Sequence, residues 1–485
     1  MNDIVIGYLL SLGYGIACLL ISLVFYKLGM DKRFTRKIVH ILVGFEWVIL
    51  YRFFGAGVHF LLVCVFFLLL LIVAHKGHLM PMISSEDDNS PGTVYYAVAM
   101  TGVAIVGCFV PSVMLPFGIG IMCTSIGDGF AGAVGQLISK HNPKIYKNKS
   151  LFGSIANLLA SFASAVLISH FYEAGLSIWE CMAISLLSVG LELVVGLGLD
   201  NIAITWGVTA FTYALMYVES FSGYIIPIIL TPFIIAFVLQ KKALTPWGTV
   251  GAIIMDVIVS LALGNFGFVI MLLFFVGSIV IDKFKKKALS DGRADETQKA
   301  GTRDLIQVLA NGIVPTVCAC AFVFSNGNPV FVVAFVASFT EAFADTAASG
   351  VGAFAKNVFD PFKWRKCENG LSGGMSVVGT LASAVASATL PAIAVLLTVG
   401  AFDVHYYAIS AIAAFIGVIF DSMLGSLMQV KYRCSSCGAI TEKTVHCDLP
   451  TTKNSGLVFV DNDVVNLSSG FFSAVFAIIV FLILI

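Results

Sequence analysis

Long runs of apolar residues, separated by short polar segments, extend from one end of this sequence to the other. The runs at 4–26, 60–74 and 471–485 are examples, and none of them alternates polar with apolar positions. A membrane-spanning helix needs about 20 mostly apolar residues, whereas the strands of a membrane barrel alternate. The sequence therefore predicts an all-α, polytopic membrane protein. We place about 16 transmembrane helices, at residues 4–26, 36–54, 57–75, 92–111, 114–138, 151–173, 176–199, 202–221, 222–240, 249–264, 265–282, 304–325, 329–355, 372–400, 403–430 and 465–485.

An internal repeat is visible in two ten-residue segments, GDGFAGAVGQ and ADTAASGVGA. Superposing Asp128 on Asp345 also aligns Ala131 with Ala348. Three further pairs of segments keep the same order in both halves: FTRKIVHILVG with GTRDLIQVLANG, KSLFGSIA with NGLSGGMS, and LDN with VDN. Ordered matches of this kind indicate duplication. We therefore predict two related membrane domains, residues 1–221 and 222–485.

Composition and charge narrow the class of protein further. Hydrophobic residues make up 59% of the chain and charged residues only 12%, against roughly 25% charged in soluble domains. A formal net charge of zero gives no reason to expect a nucleic-acid partner, and no pattern indicates an oligomeric state. The N-terminal run lacks a preceding basic segment, so we interpret it as a first span and not as a signal peptide. With these spans every basic cluster falls on one side, which predicts an outside N-terminus and cytoplasmic active-site loops.

Each repeated segment places one carboxylate on a helix face of small residues. Asp128, Ala131, Gly132 and Gly135 have the spacing i, i+3, i+4, i+7, and Asp345 begins the matching set. Such faces are common helix contacts in membranes, but a carboxylate at membrane depth is costly and usually functional. We therefore expect Asp128 and Asp345 to be catalytic and to bind Mg²⁺, which prefers carboxylate and phosphate oxygens. Because the side chains of this face are small, a polyphosphate could approach the helix closely.

A basic loop follows each of these segments and leads into the next helix. KHNPKIYKNKS supplies Lys140 and Lys149, and SLFGS places Ser150 and Gly153 in a first helical turn, where free N–H groups bind anions. The second-half loop, KNVFDPFKWRKCENGLSGG, has Asn369 where the first half has Lys149. We expect both loops to bind phosphate without a Walker motif. The alternative for the lysines is contact with lipid headgroups.

Other ionisable residues are candidates for the same two sites. Arg36 and His40 share a helical face, as do Arg303 and Gln307, and arginine suits phosphate. His40 is either a proton acceptor or a polar helix contact, and Glu192 is either a general base or part of an interhelical hydrogen bond. Candidates for further metal or nucleotide contacts are Asp200, Asn201, Asp421, Asp461 and Asn462.

The segment CSSCGAITEKTVHC contains Cys434, Cys437, His446 and Cys447. Three thiols and one imidazole match the ligands of a structural zinc site, although the adjacent His and Cys are unusual. A zinc site and a loop without metal both remain open. A cytoplasmic location argues against a stable disulfide.

Two family resemblances cover nearly the whole chain. Through RKIVHILVG, PGTVYYAVAM, GDGFAGAVG and KSLFGSIA the first half resembles the phytol kinase and dolichol kinase family of membrane enzymes. The second half resembles the phytyl-phosphate kinase family of integral membrane proteins. The segments that carry this second resemblance are RDLIQVLANG, EAFADTAASGVG, NGLSGGMSVVGT, FDSMLGSLMQ, and HCDLP followed by VDNDVVN.

The resemblance implies CTP-dependent phosphorylation of isoprenoid alcohols, with Asp128 and Asp345 at the metal–nucleotide positions. It also implies two phosphate loops, formed by Lys149, Ser150 and Gly153 in the first half and by Asn369, Gly370, Ser372 and Gly373 in the second.

The expected function is therefore two successive phosphorylations. The first domain would transfer the γ-phosphoryl group of CTP to a phytol-like alcohol, and the second would convert the monophosphate to a diphosphate, mainly by positioning and charge neutralisation. Two alternatives stay open. A CDP-lipid synthase of the phosphatidate cytidylyltransferase type would use the same metal and nucleotide. A secondary transporter would also combine repeated halves with intramembrane acids.

Overall fold

A computed structural model divides the chain into two compact units, Met1–Gln240 and Lys241–Ile485. We call them the N-terminal and the C-terminal unit. Lys140, one of the predicted loop lysines, lies outside the described residues. The structure describes residues 3–77, 92–138, 142–196, 198–290, 302–398 and 403–485.

The N-terminal unit is built almost entirely from helices. Its only strands among the described residues form one hairpin, β1 (Lys144–Tyr146) and β2 (Lys149–Ser150). The helices are α1 (Asp3–Lys27), α2 (Lys32–Gly44), α3 (Glu46–Phe54), α4 (Val58–Lys76), α5 (Gly92–Phe109), α6 (Met114–Met122), α7 (Asp128–Leu137), α8 (Leu151–Phe171), α9 (Ile178–Val194), α10 (Asp200–Tyr217) and α11 (Ile225–Lys241), with short 3-10 turns at Pro111–Val113 and Phe221–Tyr224.

The C-terminal unit adds a small β-rich segment to its helices. Its helices are α12 (Pro246–Ser290), α13 (Leu305–Phe324), α14 (Pro329–Gly352), α15 (Val377–Thr398), α16 (Val404–Leu427) and α17 (Asn462–Leu484). Its strands are β3 (Val358–Asp360), β4 (Arg365–Cys367), β5 (Lys431–Arg433), β6 (Ile440–Thr441), β7 (Val445–His446), β8 (Leu449–Pro450) and β9 (Thr452–Ser455). All pairings are antiparallel: β3 with β4, β7 with β8, and β5 with both β6 and β9.

The all-α membrane class is confirmed, but the number of about 16 spans is not. Within the described residues, 12 helices are long and apolar enough to cross a membrane. The predicted span 36–54 is broken at Phe45 into α2 and α3, and α9 has only 17 residues. The predicted spans 249–264 and 265–282 form one element, α12, with a break at Gly264, where φ is 58°.

One span at the centre of each unit carries the repeated aspartate. In the N-terminal unit, α6 and α7 are joined by a π-helical turn, Cys123–Gly127, which ends immediately before Asp128. Single π-helical turns are rare and often lie at functional sites. In the C-terminal unit, α14 carries Asp345, and its residues 333–337 are fully buried. Both aspartates therefore belong to helices that the rest of their unit surrounds.

The same local arrangement follows the aspartate in both units: a helix, a hairpin and a second helix. The Ser150 hydroxyl caps α8 by accepting a hydrogen bond from the Gly153 N–H at 3.4 Å. The Ser376 hydroxyl accepts from the Gly379 N–H at 3.1 Å in the same way at the start of α15. These contacts make SLFGS equivalent to SVVGT.

The glycines of the two caps occupy matching positions against the central helices. A Cβ added at Gly153 would lie 2.9 Å from the Ala131 carbonyl oxygen, and one added at Gly379 would lie 2.9 Å from that of Ala348. Ala131 and Ala348 are the third residues after the two aspartates. The alignment of Asp128 with Asp345 is thus retained. The alignment of KSLFGSIA with NGLSGGMS, which paired Gly153 with Gly373, is wrong by six residues.

Candidate functional site

Asp128 forms an ion pair with a lysine that the sequence analysis did not single out. The Lys37 ammonium on α2 donates to the Asp128 carboxylate at 2.6 Å, and the two side chains are only 18% and 9% exposed. Pairing is what makes two buried charges tolerable, because each would otherwise lose its hydration without compensation. Lys37 lies between Arg36 and His40, two predicted site residues, and this position was the available signal in the sequence.

The small-residue face beside Asp128 is what allows α2 to approach. A Cβ added at Gly129 would lie 2.3 Å from Ile41, and one added at Gly132 would lie 2.3 Å from Cε of Lys37. Protein therefore covers this part of the face. The expectation that the predicted face leaves room for phosphate groups is wrong at Gly132, and the helix-packing interpretation holds there.

His40 lies on the same side of α2 as Lys37. Its Nε2 is 3.1 Å from the Thr124 carbonyl oxygen, which can only accept, so Nε2 carries the hydrogen and Nδ1 is left as the basic nitrogen. Nε2 is also 3.7 Å from the Asp128 carboxylate. The histidine is thus both a polar helix contact and a neighbour of the aspartate.

Lys149 is held at the end of the β1–β2 hairpin by two carboxylates. Its ammonium lies 2.8 Å from Glu192 and 3.5 Å from Asp200. The second oxygen of Glu192 accepts a hydrogen bond from the Asn157 amide at 2.8 Å. Both oxygens of Glu192 are therefore engaged, which favours the interhelical hydrogen bond over the general base.

The charge state of Lys149 follows from these neighbours. Burial by itself would lower the pKa of Lys149, but the carboxylates of Glu192, Asp128 and Asp200 raise that pKa above its ordinary value. Lys149 therefore remains a cation throughout the physiological pH range. A fixed cation of this kind can bind phosphate.

A cavity of about 780 Å³ lies next to these charged groups. This volume is typical of a site for a small molecule. Its polar lining includes Arg36, Lys37, His40, Asp128, Lys149, Asp200 and Asn201, and its apolar lining includes Leu50, Val63, Phe67, Leu70, Leu71 and Met100. Glu192 is not in the lining. The cavity thus combines groups that could bind a phosphate with groups that could bind a hydrocarbon chain.

Glu46 also lines this cavity and was missed from the sequence. Its side chain is buried, and one carboxyl oxygen accepts a hydrogen bond from the Ser11 hydroxyl. Its other oxygen, Oε2, has no hydrogen-bond partner among the described residues. An acidic residue within the predicted span 36–54 was the available signal, since such residues are costly in a membrane.

Ser150 and Gly153, two residues of the expected phosphate loop, do not line the cavity. The Ser150 hydroxyl is occupied by Gly153 N–H and by the Asn142 amide at 2.9 Å. The Asn142 side chain also accepts from Phe152 N–H at 3.1 Å. The first N–H groups of α8 are therefore capped by side chains, and the expected open anion site is not present there.

In the C-terminal unit three carboxyl groups lie together. Glu341 and Asp345 are one turn apart on α14, and their charges interact with Asp421 on α16. The Ser469 hydroxyl donates to Asp421 at 3.2 Å. Glu341 is buried, and its Oε1 has no hydrogen-bond partner among the described residues. Glu341 was missed, although its place one turn before Asp345 was visible in the sequence.

The C-terminal unit has no lysine where the N-terminal unit has Lys149. Lys149 pairs with Tyr146 across its hairpin and precedes the capping serine of α8. Met375 forms a bridge with Phe359 and precedes the capping Ser376 of α15. Met375, and not Asn369, is therefore the counterpart of Lys149.

The expected second phosphate loop is packed against protein. Asn369 donates to the carbonyl oxygens of Ala353 and Ala355 at 3.0 and 2.9 Å, which ties the loop to the end of α14. Gly370 has a φ of 96° and Gly373 a φ of 87°. Both glycines therefore serve the tight path of the backbone.

The backbone of Ser372 is also fully engaged. Its N–H donates to the Glu442 carboxylate at 2.8 Å, and its carbonyl accepts from the Lys431 ammonium at 2.6 Å. A Cβ added at Gly373 would lie 2.5 Å from the backbone of Ser426. A carboxylate of the protein thus occupies the N–H that we expected to bind phosphate, and the phosphate-loop prediction for Asn369 to Gly373 is not supported.

Structural roles are found for three further residues, Arg303, Gln307 and Asp461. Arg303 precedes α13 and pairs with Asp282 at 2.6 Å, so it does not share a helical face with Gln307. Gln307 instead completes the capping box of α13. Asp461 is the exposed cap of α17 and accepts from the Val464 N–H at 3.0 Å, and Asn462 beside it is also exposed.

The predicted zinc ligands do converge. The ligand atoms of Cys434, Cys437, His446 and Cys447 all lie within 4.8 Å of one another.

Fold and site together define a multi-pass helical membrane protein with a buried charged cluster beside an apolar cavity. The model of the family described as "Integral membrane protein DUF92" matches residues 229–474, which is just over half of the chain. The chain belongs to this family. No solved structure matches it significantly.

Curated relatives are similar to parts of the chain. An uncharacterized membrane protein of Synechocystis is 33% identical over 211 residues, 42% of this chain and 80% of that protein. A protein named phytol kinase, also from Synechocystis, is 28% identical over 187 residues, 38% of this chain and 79% of that protein. A chloroplast protein of Arabidopsis thaliana named farnesol kinase is 26% identical over 157 residues, 30% of this chain and 50% of that protein. These matches confirm the resemblance to phytol kinase-like proteins.

Proposed function

We propose that the protein is a membrane kinase that phosphorylates a phytol-like isoprenoid alcohol with CTP and then converts the monophosphate to a diphosphate. The observation that carries the first step is the cavity in the N-terminal unit, which combines Lys37, Asp128 and Lys149 with an apolar lining. The names of the relatives, phytol kinase and farnesol kinase, support an alcohol of this class. The hydrocarbon chain would occupy the apolar part and the hydroxyl would meet the charged groups.

The residues present suit a magnesium nucleotide. Asp128 and Asp200 line the cavity and offer carboxylate oxygens, the ligands that Mg²⁺ prefers. We propose that these two residues hold the ion, which would neutralise charge on the nucleotide phosphates. Lys37 and Lys149 would contact the phosphates, because both are cations held in fixed positions. Glu192 would position Lys149.

In the transfer itself, the alcohol oxygen forms a bond to the γ-phosphorus and the bond from that phosphorus to the β-phosphate oxygen breaks, releasing CDP. The hydroxyl proton must go to a base. His40 is our candidate, because its Nδ1 is free of the hydrogen that Nε2 directs to Thr124. Most of the acceleration would come from positioning and charge neutralisation, as in other phosphoryl transfers.

We assign the second phosphorylation to the C-terminal unit, with Asp345, Glu341 and Asp421 as the metal-binding candidates. Oε1 of Glu341 is buried and has no hydrogen-bond partner among the described residues, which supports this assignment, since a buried polar atom without a partner is costly unless a ligand completes it. We further propose that the loops after α7 and α14 are cytoplasmic. A cysteine introduced at the exposed Lys144 tests the orientation of the loop after α7. A membrane-impermeant thiol reagent is added to one side or the other of sealed vesicles, and the side from which it labels this cysteine is the side of the loop.

The decisive experiment incubates the full-length protein in lipid nanodiscs with phytol, Mg²⁺ and CTP labelled at the γ-phosphate. Label in phytyl monophosphate and diphosphate is the expected result. In a parallel reaction with phosphatidate in place of phytol, release of labelled pyrophosphate together with an unlabelled CDP-lipid would instead identify a cytidylyltransferase. Farnesol, geranylgeraniol, ATP and GTP in parallel reactions define the alcohol and nucleotide. No labelled lipid with any alcohol and nucleotide would refute the kinase.

A further inference from the structure

Between α16 and α17 lies a segment of short strands, β5 to β9, which we call the knuckle module (residues 428–461). It contains the four side chains whose ligand atoms lie within 4.8 Å of one another. The sulfur atoms of Cys437 and Cys447 are 3.9 Å apart, and Cys437 Sγ is 3.6 Å from Nδ1 of His446. Tetrahedral zinc, with bonds of about 2.3 Å to sulfur and 2.0–2.1 Å to nitrogen, separates its ligand atoms by roughly 3.6–3.8 Å. The spacing is therefore that of a zinc ligand set.

The backbone around the first two ligands is folded into a tight turn. The N–H of Gly438 donates to the Cys434 carbonyl oxygen at 3.0 Å, and the Cys434 N–H donates to the carbonyl oxygen of Ala439 at 2.9 Å. Gly438 has a φ of 73°, which a glycine adopts at little cost. This turn directs the thiols of Cys434 and Cys437 toward the same point.

A second turn explains how adjacent residues can both serve as ligands. Cys447 and Asp448 form the two-residue loop of the β7–β8 hairpin, and their φ angles are 52° and 59°. Positive φ at both loop residues is the requirement of a type I′ hairpin turn. The turn brings Cys447 Sγ to 3.3 Å from Nδ1 of His446. Residues other than glycine adopt this conformation at an energetic cost, which a bound ion would offset.

We propose that Cys434, Cys437, His446 and Cys447 bind one Zn²⁺, and that the zinc-bound module positions the backbone at Ser372 and Gly373. Lys431, on β5 just before the first ligand, donates to the Ser372 carbonyl oxygen at 2.6 Å. Glu442, between the two ligand pairs, accepts from the Ser372 N–H at 2.8 Å. The metal would therefore fix Lys431 and Glu442, the two residues that hydrogen-bond Ser372. Gly373, the next residue, packs against Ser426 at the end of α16, the helix that carries Asp421.

Metal content of the full-length protein tests the first part. The protein is purified in detergent under reducing conditions, and its metals are measured by inductively coupled plasma mass spectrometry. The wild type should contain about one zinc per chain. The double variant Cys434→Ser, Cys437→Ser should contain almost none, while the matched control Cys108→Ser, Cys320→Ser, both outside the module, should keep it. Zinc-free wild type after growth in zinc-supplemented medium, or full zinc in the first double variant, would overturn the site.

Amide hydrogen exchange tests the positioning role without depending on kinase activity. Removal of zinc by a chelator, or by the Cys434→Ser, Cys437→Ser variant, should speed exchange of the Ser372 amide at least tenfold. A peptide of the N-terminal unit that contains the Ser150 cap is the internal control, and its exchange should not change. If the variant fails to accumulate, the chelator-treated wild type supplies the comparison. Unchanged exchange at Ser372 after zinc loss would show that the module does not hold the loop.

Discussion

In the N-terminal unit, Asp128 pairs with Lys37, and Lys149 at the end of a hairpin also interacts electrostatically with Asp128. In the C-terminal unit, Asp345 lies near Glu341 and Asp421, and the counterpart of Lys149 is Met375. The central helix, the hairpin after it and the serine-capped helix that follows are arranged alike in the two units. One helical scaffold therefore presents a carboxylate among cations in one unit and a carboxylate among other carboxyl groups in the other.

The difference indicates how each unit would treat a phosphorylated ligand. Lysines can bind a polyanion directly, since charge-assisted hydrogen bonds to phosphate are strong. A cluster of carboxyl groups repels a polyanion unless a cation lies between them. We therefore expect the C-terminal unit to depend more strongly on Mg²⁺ than the N-terminal unit does. The following substitutions test this comparison.

Replacing the two aspartates should separate the two reactions. Asp128→Asn should lower the phosphorylation of phytol at least about 100-fold, because it removes a charged group that acts at the reacting phosphate. Asp345→Asn should leave that step intact and let phytyl monophosphate accumulate. Mass spectrometry of both phosphates over time is the measurement. The assignment is wrong if both variants make diphosphate at the wild-type rate.

Exchanging the lysine and the methionine should act on only one unit. Lys149→Met should lower kcat/KM for the nucleotide roughly 10- to 100-fold, since hydrogen bonds to charged groups contribute about 1.5–3 kcal/mol. Met375→Lys should not affect phytol phosphorylation. Lys144→Met removes an exposed lysine of the same hairpin and is the matched control.

Loss of Lys149 also leaves Glu192 buried without its cation, which by itself destabilises a fold. The double variant Lys149→Met, Glu192→Gln therefore accompanies the single variant, and thermal melting is recorded for both. An equal loss of activity in Lys144→Met would show that general loop charge matters, and not the position of Lys149.

The fourth residue after each aspartate should differ in its tolerance of a side chain. Gly132→Ser should reduce phytol phosphorylation about tenfold, because its Cβ would displace Lys37, which is only 2.3 Å away at Cε. Ser349→Gly at the equivalent position should change the monophosphate kinase rate by less than about twofold. Among the described residues, the Ser349 hydroxyl donates to the Thr346 carbonyl oxygen of its own helix at 3.2 Å. Steady-state kinetics of the alcohol and monophosphate phosphorylations are the measurement. A larger loss in Ser349→Gly than in Gly132→Ser would contradict the prediction.

The two capping serines should behave alike. Ser150→Ala and Ser376→Ala should each lower the free energy of unfolding by about 1 kcal/mol, the usual cost of losing a helix cap. Thermal melting in detergent and nucleotide kinetics are measured together. If Ser150→Ala weakens nucleotide binding strongly without lowering stability, the hydroxyl binds phosphate and the cap interpretation fails.

Much of the helical architecture could be predicted from the sequence, whereas the hairpins and the second-half alignment could not. The break of α12 at Gly264 coincides with the predicted end of one span and start of the next. The strands β1 to β4 are two or three residues long and lie in basic loops, so no apolar periodicity predicts them. The alignment of Gly153 with Gly373 rested on similar sequence alone. The structural equivalent of Gly153 is Gly379, because its N–H bonds the capping Ser376 and it packs against Ala348.

The site residues divide in the same way. Asp128, His40 and Lys149 could be selected because each is an ionisable group in or beside an apolar run. Glu46, Lys37 and Glu341 are also ionisable residues in or beside apolar runs. The sequence could not distinguish them as site residues, since a carboxylate or an ammonium becomes part of a site only through its neighbours in space. Arg303 and Asp461 are also ionisable groups beside apolar runs. Arg303, however, pairs with Asp282, and Asp461 caps α17.

The sequence alone determined that the chain crosses a membrane many times, because an apolar run of about 20 residues is stable in lipid only as a helix that satisfies its own backbone. It also determined that one aspartate lies on a smooth face in each half. Only the tertiary structure decided what each aspartate meets. Lys37 and Asp128 are 91 residues apart, and they pair because Gly129 and Gly132 let α2 approach α7 closely enough for two buried charges to compensate each other.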